Sequence, residues 1–459
     1  MAFWDYKVWG IINFFAILLF SLFVANMIKR NIPFLRNSLI PTSVIAGLLL
    51  LITSTIFDYF FEIKIYSTKF FGEIGTDGLE MLTYHMLALG FIATTFSTVQ
   101  KEKSKERNIE IINTGITTVS TYVIQAVVGL SITLVAGLIV SSICKYSGII
   151  LPFGYGQGTG QALNWGNIYE TDYGFIGGAN FGLTIAALGY LSAAIGGVFF
   201  LNINKKKFKD KVAFKGEGLI ESEQIQGKDE IPMNGSIDKI TFQIAFVVIS
   251  YCIAYLLMAG VSKLIPSLQS LIYGFNFLFG VIVASIFKEI TKFLKKKNIM
   301  KRQYMNSFLM QRLSGFFFDV MIVAGIAAIR IELLKDYWLI VIILGVVGAV
   351  ITYAYNLFVA KTLFPKYYNE QFLAMYGMLT GTASTGMVLL REIDGELKTP
   401  VADNLVFQNF PAIVLGFPIM LLANLAPIRP YLTLIILVGM LVVLNLLLFR
   451  KQIFKRKTK

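Results

Sequence analysis

The residues that most soluble chemistry depends on are nearly missing from this chain. One histidine, His85, stands in 459 residues, which excludes most histidine-based metal and triad chemistry. The two cysteines, Cys144 and Cys252, lie far apart with no CxxC spacing, so they indicate neither a disulfide framework nor a metal site. There is no HExxH, no GxSxG and no nucleotide-binding glycine loop, so an enzyme is a poor reading. Charge is also scarce, with 15% of residues Asp, Glu, Lys or Arg. A cleavable signal peptide is not expected. The apolar segment 8–28 is too long for a signal core, is followed by Lys29 and Arg30, and lacks an Ala-x-Ala end.

What is abundant is apolar sequence. It makes up 56% of the chain, and the mean hydropathy of +0.68 is far above that of a soluble domain. Many apolar runs exceed the ~20 residues that cross a hydrocarbon core. A polytopic membrane protein follows, its surface facing lipid. Spans are expected at about 8–28, 39–57, 79–99, 111–142 and 172–201. A second set falls at about 241–261, 268–287, 308–329, 336–360 and 401–424, with one further span at about 430–449. Between the sets lies a polar linker, 202–240.

The net charge of +14 does not point to nucleic acid, because the basic residues crowd into alternate loops. With the N-terminus outside and the C-terminus in the cytoplasm, 30 of the 41 Lys and Arg fall in cytoplasmic segments. Eight fall outside: Lys7, Lys64, Lys69, Lys145, Lys263, Arg330, Lys335 and Arg429. That bias is the positive-inside pattern, which gives the orientation; the location expected is the cell inner (cytoplasmic) membrane. The basic runs at 205–211 and 292–302 read as topology signals and anionic-lipid contacts.

Two short stretches interrupt the apolar sequence. One is Gly154-Tyr-Gly-Gln-Gly-Thr-Gly-Gln-Ala-Leu-Asn164; the other is Tyr376-Gly-Met-Leu-Thr-Gly-Thr-Ala-Ser-Thr-Gly386. Gly158-Thr159 and Gly381-Thr382 correspond at a separation of 223 residues. Weaker matches recur in the same order: Gly47 with Gly280 at 233, and 89–93 with 324–328 at 235. Two halves, each with an odd number of spans, lie in opposite orientations, which makes an inverted repeat. Paired Gly-interrupted segments in such halves point to a transporter's binding site. Irregular backbone at membrane depth persists only inside protein or beside a wet cavity. The expected fold is therefore all-α, with two inverted five-helix repeats, each holding a re-entrant loop, and one extra C-terminal span. The repeats cover 1–201 (loop about 147–166) and 241–424 (loop about 372–391), followed by 425–459 as the extra span and basic tail.

At these patches the chain resembles the glutamate:sodium symporter family. The likeness runs through Ile40-Pro-Thr-Ser-Val-Ile-Ala-Gly-Leu-Leu49, Leu87-Ala-Leu-Gly90, Gly156-Gln-Gly-Thr-Gly160, the Gly-rich fifth span ending Gly196-Gly197, and Gly381-Thr-Ala-Ser-Thr385. It implies opposed re-entrant loops, a homodimer, sodium-coupled uptake, and a transport domain sliding against a scaffold. The family carries His where this chain has Gln157 and Pro where it has Ser384. It carries amides where this chain has Leu389 and Arg391. The last span and tail are additional.

Gln157, Gly158, Thr159, Gly160, Gln161, Asn164, Thr382, Ser384, Thr385 and Arg391 are the candidate substrate residues. Thr380, Gly381, Asp319, Asn180 and Asn404 are the candidate cation residues. Hydroxyls, amides and freed carbonyls suit sodium, a hard cation, and helix N-termini beside each loop suit a carboxylate. Close packing of small residues is the plainer account of the same composition. Arg391 can clamp a carboxylate bidentately or pair with Glu392, Asp394 or Glu396. Asp319, inside an apolar span, can bind sodium, carry a proton, or sit protonated against a neighbouring helix. His85 is better explained as a buried hydrogen-bonded residue than as a proton relay. Asn180, Asn404, Gln408 and Asn409 line a site or bond between helices. The function expected is sodium-coupled import of glutamate or a related small carboxylate or amino acid by alternating access, with sodium as coupling ion and no other cofactor. Proton coupling and a channel are the alternatives.

Overall fold

A computed structural model of the chain describes residues 3–37, 40–97, 105–140, 142–204, 230, 237–300, 302–394 and 399–453. The side chains of Asn37, Lys105, Ser267, Leu271, Ser384 and Phe410 lie outside that description. Most of the linker 202–240, the loop 98–104 and the end of the basic tail therefore fall outside the described residues. The described residues are helical throughout apart from turns and one isolated bridge, between Glu230 and Gln303.

Nine helices among the described residues are long and apolar enough to cross a bilayer. A tenth results if the bent pair Val401–Phe407 and Pro411–Leu425 forms one span. The eleven-span reading differs from this at 268–287. That segment breaks at Phe275 into Gln269–Gly274 and Asn276–Lys296, and the second piece carries Lys288, Glu289, Lys292, Lys295 and Lys296 in its latter half. Neither piece is therefore long and apolar enough to count as a span by length and composition.

The chain divides into two compact units, and each draws on both halves of the sequence. The first comprises Met1–Leu79, Lys103–Lys215 and Val323–Lys459. Here α1 (Tyr6–Asn31) packs on α2 (Thr42–Phe61), and Asp5 caps the start of α1 by accepting from the Lys7 N–H. Phe14, Tyr66 and Phe71 form an aromatic cluster beneath α1. The second unit comprises Glu80–Glu102 and Gly216–Ile322. It holds most of α3 (Asp77–Ser97) and α9 (Ser307–Ala327), with α7 (Lys239–Leu264) and α8 (Asn276–Lys296) between them in sequence. Helix α7 buries one stripe, Gln243, Val247, Ser250, Ala254 and Met258, at helical spacing. Its other faces expose Val248, Ile249, Tyr255 and Leu256, as a lipid-facing helix does. A polar knot closes the N-terminal end of α7. Buried Lys239 donates to Glu230 at 2.6 Å, and Asn306 donates to the same carboxylate at 2.7 Å.

The centre of the first unit is built on α4 (Lys105–Ile139). At 35 residues it is ~52 Å long by its rise per residue, well over a bilayer's apolar thickness. Packed on it are α5 (Leu151–Tyr173), α10 (Trp338–Leu363) and α11 (Tyr368–Leu379), while α6 (Gly178–Ile203) packs on α5 and α10, and α12 (Ala383–Arg391) on α11. Helices α13 (Val401–Phe407), α14 (Asn409–Leu425) and α15 (Pro430–Leu448) complete the unit, with α14 and α15 also against α4. Helices α5 and α6 approach so closely that a Cβ on Gly182 would stand 2.1 Å from the Ala162 carbonyl oxygen, and one on Gly166 would stand 2.2 Å from that of Gly178. This is the small-residue contact by which membrane helices gain packing without a hydrophobic driving force. The turn between them uses Gly174 and Gly177, both at positive φ. The Glu170 carboxylate accepts from the N–H groups of Gly177 and Ala179, each at 3.1 Å, so the next helix starts at Gly178 rather than at 172.

Candidate functional site

Both polar patches fall at interruptions of buried helices. The first lies inside α5, where Gly158 adopts φ 75° and ψ −168°. That backbone region belongs to glycine, so the residue type dictates the break. A break strands carbonyls, and one is recovered: the Tyr122 hydroxyl donates to the Gly156 oxygen at 3.0 Å. Gly158, Thr159, Gly160, Gln161 and Asn164 are buried, and Gln157 is half-buried. Gln161 is 0% exposed, and among the described residues neither its Nε2 nor its Oε1 has a hydrogen-bond partner. A buried amide in that state is costly, and it is the clearest invitation to a polar ligand in the first patch.

The second patch lies between α11 and α12, at Thr380, Gly381 and Thr382. Its φ angles are all ordinary. Here side chains donate to the carbonyls that end α11. The Thr380 hydroxyl donates to the Tyr376 oxygen at 2.6 Å, Gln125 Nε2 donates to the Leu379 oxygen at 2.9 Å, and the hydroxyls of Thr382 and Thr385 lie 3.4 Å apart. Thr380, Gly381, Thr382 and Thr385 are buried. Ser384's side chain lies outside the described residues.

The two patches come together on α6. A Cβ placed on Gly189 would meet the Thr380 oxygen at 2.6 Å and the Tyr155 ring at 3.2 Å. The patches are also tied at Ser192. The Tyr155 hydroxyl pairs with Ser192 Oγ at 3.0 Å, and the Tyr376 hydroxyl donates to the Ser192 carbonyl at 3.0 Å.

The remaining expected residues are placed differently. Asn180 is buried, but both its amide atoms are spent on the Arg330 backbone, accepting from its N–H and donating to its oxygen at 2.8 Å. Asn404 is buried in α13 beside Tyr367. Gln408 accepts from Thr118 Oγ1 of α4 at 2.8 Å and so bonds helix to helix, whereas Asn409 accepts from its neighbour Gln408 at 3.0 Å. Arg391 is exposed at the last residue of α12, away from the break. Asp319 belongs to the second unit and is exposed on α9. His85 is also in that unit, exposed, with Nδ1 2.8 Å from the Tyr251 hydroxyl. The sequence reading did not single out Tyr122, Gln125 or Gly189. A glutamine on a long apolar helix was the available signal for the second of these.

A chain with nine described helices long and apolar enough to cross a bilayer is a multi-pass membrane protein. The sequence matches the sodium/glutamate symporter family over residues 9–393, and the chain belongs to that family, which is one of transporters and not of enzymes. The last span and tail extend beyond the match. No curated protein matches the sequence closely enough to count as a relative.

Proposed function

We propose that the chain is a sodium-coupled symporter importing glutamate or a related small carboxylate or amino acid, with one site formed by the two helix breaks. The observation that carries this is their convergence on Gly189 and Ser192 of α6. A broken helix offers N–H groups at the start of one arm and carbonyls at the end of the other. The substrate's carboxylate lies against the arms that begin at Thr159 in α5 and at Thr382–Ala383 in α12. Sodium takes the carbonyls and the hydroxyls of Thr380, Thr382 and Thr385. Gln161 supplies both an acceptor for the ammonium group and a donor. Sodium offsets the repulsion between anionic substrate and site carbonyls, which couples the two bindings. The opposed re-entrant arrangement, the N-outside topology in the inner membrane, the homodimer and an elevator motion belong to the same reading.

Reconstituted full-length protein tests it. Radiolabelled glutamate should accumulate under an inward sodium gradient and not under an equal potassium gradient. Accumulation that ignores sodium defeats the reading. Exposed Asp319 within α9 favours one second reading, coupling to protons. In that case Asp319→Asn abolishes pH-driven accumulation; wild-type coupling in that variant removes it. Linear, non-saturating flux points instead to a channel.

A further inference from the structure

We infer that α4 and α10 together hold a second site for a monovalent alkali cation, built by a repeated motif. Thr121-Tyr-Val-Ile-Gln125 and Thr352-Tyr-Ala-Tyr-Asn356 share the pattern Thr-Tyr-x-x-amide at a separation of 231 residues, close to the 223 between the two patches. Each motif places its Thr and its amide one turn apart on one helix face. The contacts are reciprocal. Gln125 Nε2 donates to Thr352 Oγ1 at 2.8 Å, and Asn356 Nδ2 donates to Thr121 Oγ1 at 3.4 Å. All four residues are buried, none more than 1% exposed.

The remaining hydrogen-bonding capacity is mostly that of acceptors. The other donations run to backbone: Gln125 Nε2 to the Leu379 oxygen at 2.9 Å, Asn356 Nδ2 to the Thr352 oxygen at 2.9 Å, and Thr121 Oγ1 to the Thr117 oxygen at 2.8 Å. What is left over is one donor, the Thr352 hydroxyl proton, and two acceptors, Gln125 Oε1 and Asn356 Oδ1. Among the described residues neither acceptor has a hydrogen-bond partner. Two buried, unpartnered acceptors on this one contact between α4 and α10 outnumber that donor, which disfavours an anion and suits a cation. All the ligand atoms of this four-residue cell are neutral oxygens, so a singly charged hard ion fits better than a divalent or a soft metal. The Gln125 amide also holds the carbonyl next to Thr380. Occupancy of the cell is thereby linked to the second break, and the proposal rests on that break being part of the transport site.

The test is sodium binding by the purified full-length protein without substrate, read as thermal shift in sodium against potassium at constant ionic strength, since a ligand of the folded state raises apparent stability by mass action. Asn356→Asp puts a formal charge in the cell, and its sodium midpoint should fall at least tenfold. Gln125→Leu should raise it at least tenfold, and Gln125→Asn, keeping the oxygen on a shorter stem, should lie between. A cell that holds only water, or that only joins the helices, gives Asn356→Asp a lower melting temperature in both salts with the sodium midpoint unchanged, and that overturns the proposal. A wild-type protein indifferent to sodium also overturns it. If glutamate uptake is nonetheless sodium-driven, the symport reading survives; if sodium binding is intact while uptake fails, the cell stands without it.

Discussion

The two helix breaks do the same job by different means. In the first, a torsion does the work: Gly158 occupies a region closed to side chains, and the helix is interrupted whatever its neighbours do. In the second, every torsion is ordinary, and the interruption persists because Gln125 and Thr380 donate to the last carbonyls of α11 while two glycines let the arms pack. A Cβ on Gly386 would stand 2.4 Å from the Ala374 oxygen, and one on Gly377 would stand 2.8 Å from the Gly386 Cα. A torsional break is local and rigid. A break held by partners is conditional on them, and it is the one expected to respond when those partners change.

That contrast is sharpest at Gly386. Both contacts there are with backbone, so the arms of α11 and α12 must part to admit a methyl group. Gly386→Ala should cost about 3 kcal/mol, the upper range for overpacking, and abolish uptake. The readouts are apparent melting temperature in detergent and glutamate uptake in proteoliposomes. A fully active Gly386→Ala would mean that arm packing does not hold the second break.

Gly158→Ala comes next, at about 2 kcal/mol for a side chain forced into that region. Its control is Gly381→Ala, the matching position of the second patch. Gly381 has no positive φ, and a Cβ there would meet Thr385 Oγ1 at 2.9 Å and the Gly377 oxygen and Thr385 Cβ at 3.1 Å, contacts that a shift of a few tenths of an ångström relieves. Gly381→Ala should therefore cost less than about 1 kcal/mol. The same melting series decides the order, and an inverted order would refute the torsional account of the first break.

This difference was only partly visible in the sequence. Both patches were legible because glycine and hydroxyl clusters stand out against apolar runs, and their offset announced them as partners. Which glycine bends and which packs was not legible, because the residue type is the same and only φ separates Gly158 from Gly381. Long helices such as α1 and α15 were legible from hydropathy. The division of 268–287 was not legible, because the break at Phe275 falls within continuous apolar sequence. The Thr-Tyr-x-x-amide pair lay in plain view but has no local signature of burial; its meaning appears only when α4 and α10 are side by side. The compact units were equally hidden, since each takes sequence from both halves and rests on long-range contacts.

The carbonyl partners come third. Tyr122→Phe leaves the Gly156 oxygen without its hydroxyl, and Thr380→Val does the same to the Tyr376 oxygen. Each should cost about 1 kcal/mol, the usual net value of such a bond. If the first break is torsional, Tyr122→Phe should lower stability while leaving the glutamate KM near wild type, whereas Thr380→Val should raise KM. Equal effects on KM would erase the distinction between the breaks.

The smallest effect is a reporter of the first region. Cys144 stands just ahead of the turn that leads into α5, and Ser147 donates to its carbonyl at 2.8 Å. Burial pushes its thiol up from 9.0 to about 11, with hydrogen bonds from Tyr146 and Ser147 opposing the shift. The neutral thiol is the form the fold prefers. The stability this group contributes is therefore complete below about pH 9 and is lost as pH rises through about 11. The thiolate is the reactive species, so in a Cys252→Ser background alkylation should be slow at pH 7 and climb through about pH 11. Gly158→Ala, by loosening α5, should bring that rise to lower pH. Gly381→Ala, acting on a different helix pair, should leave it in place. A profile that moves equally in both variants would show that the two breaks are held as one unit rather than separately.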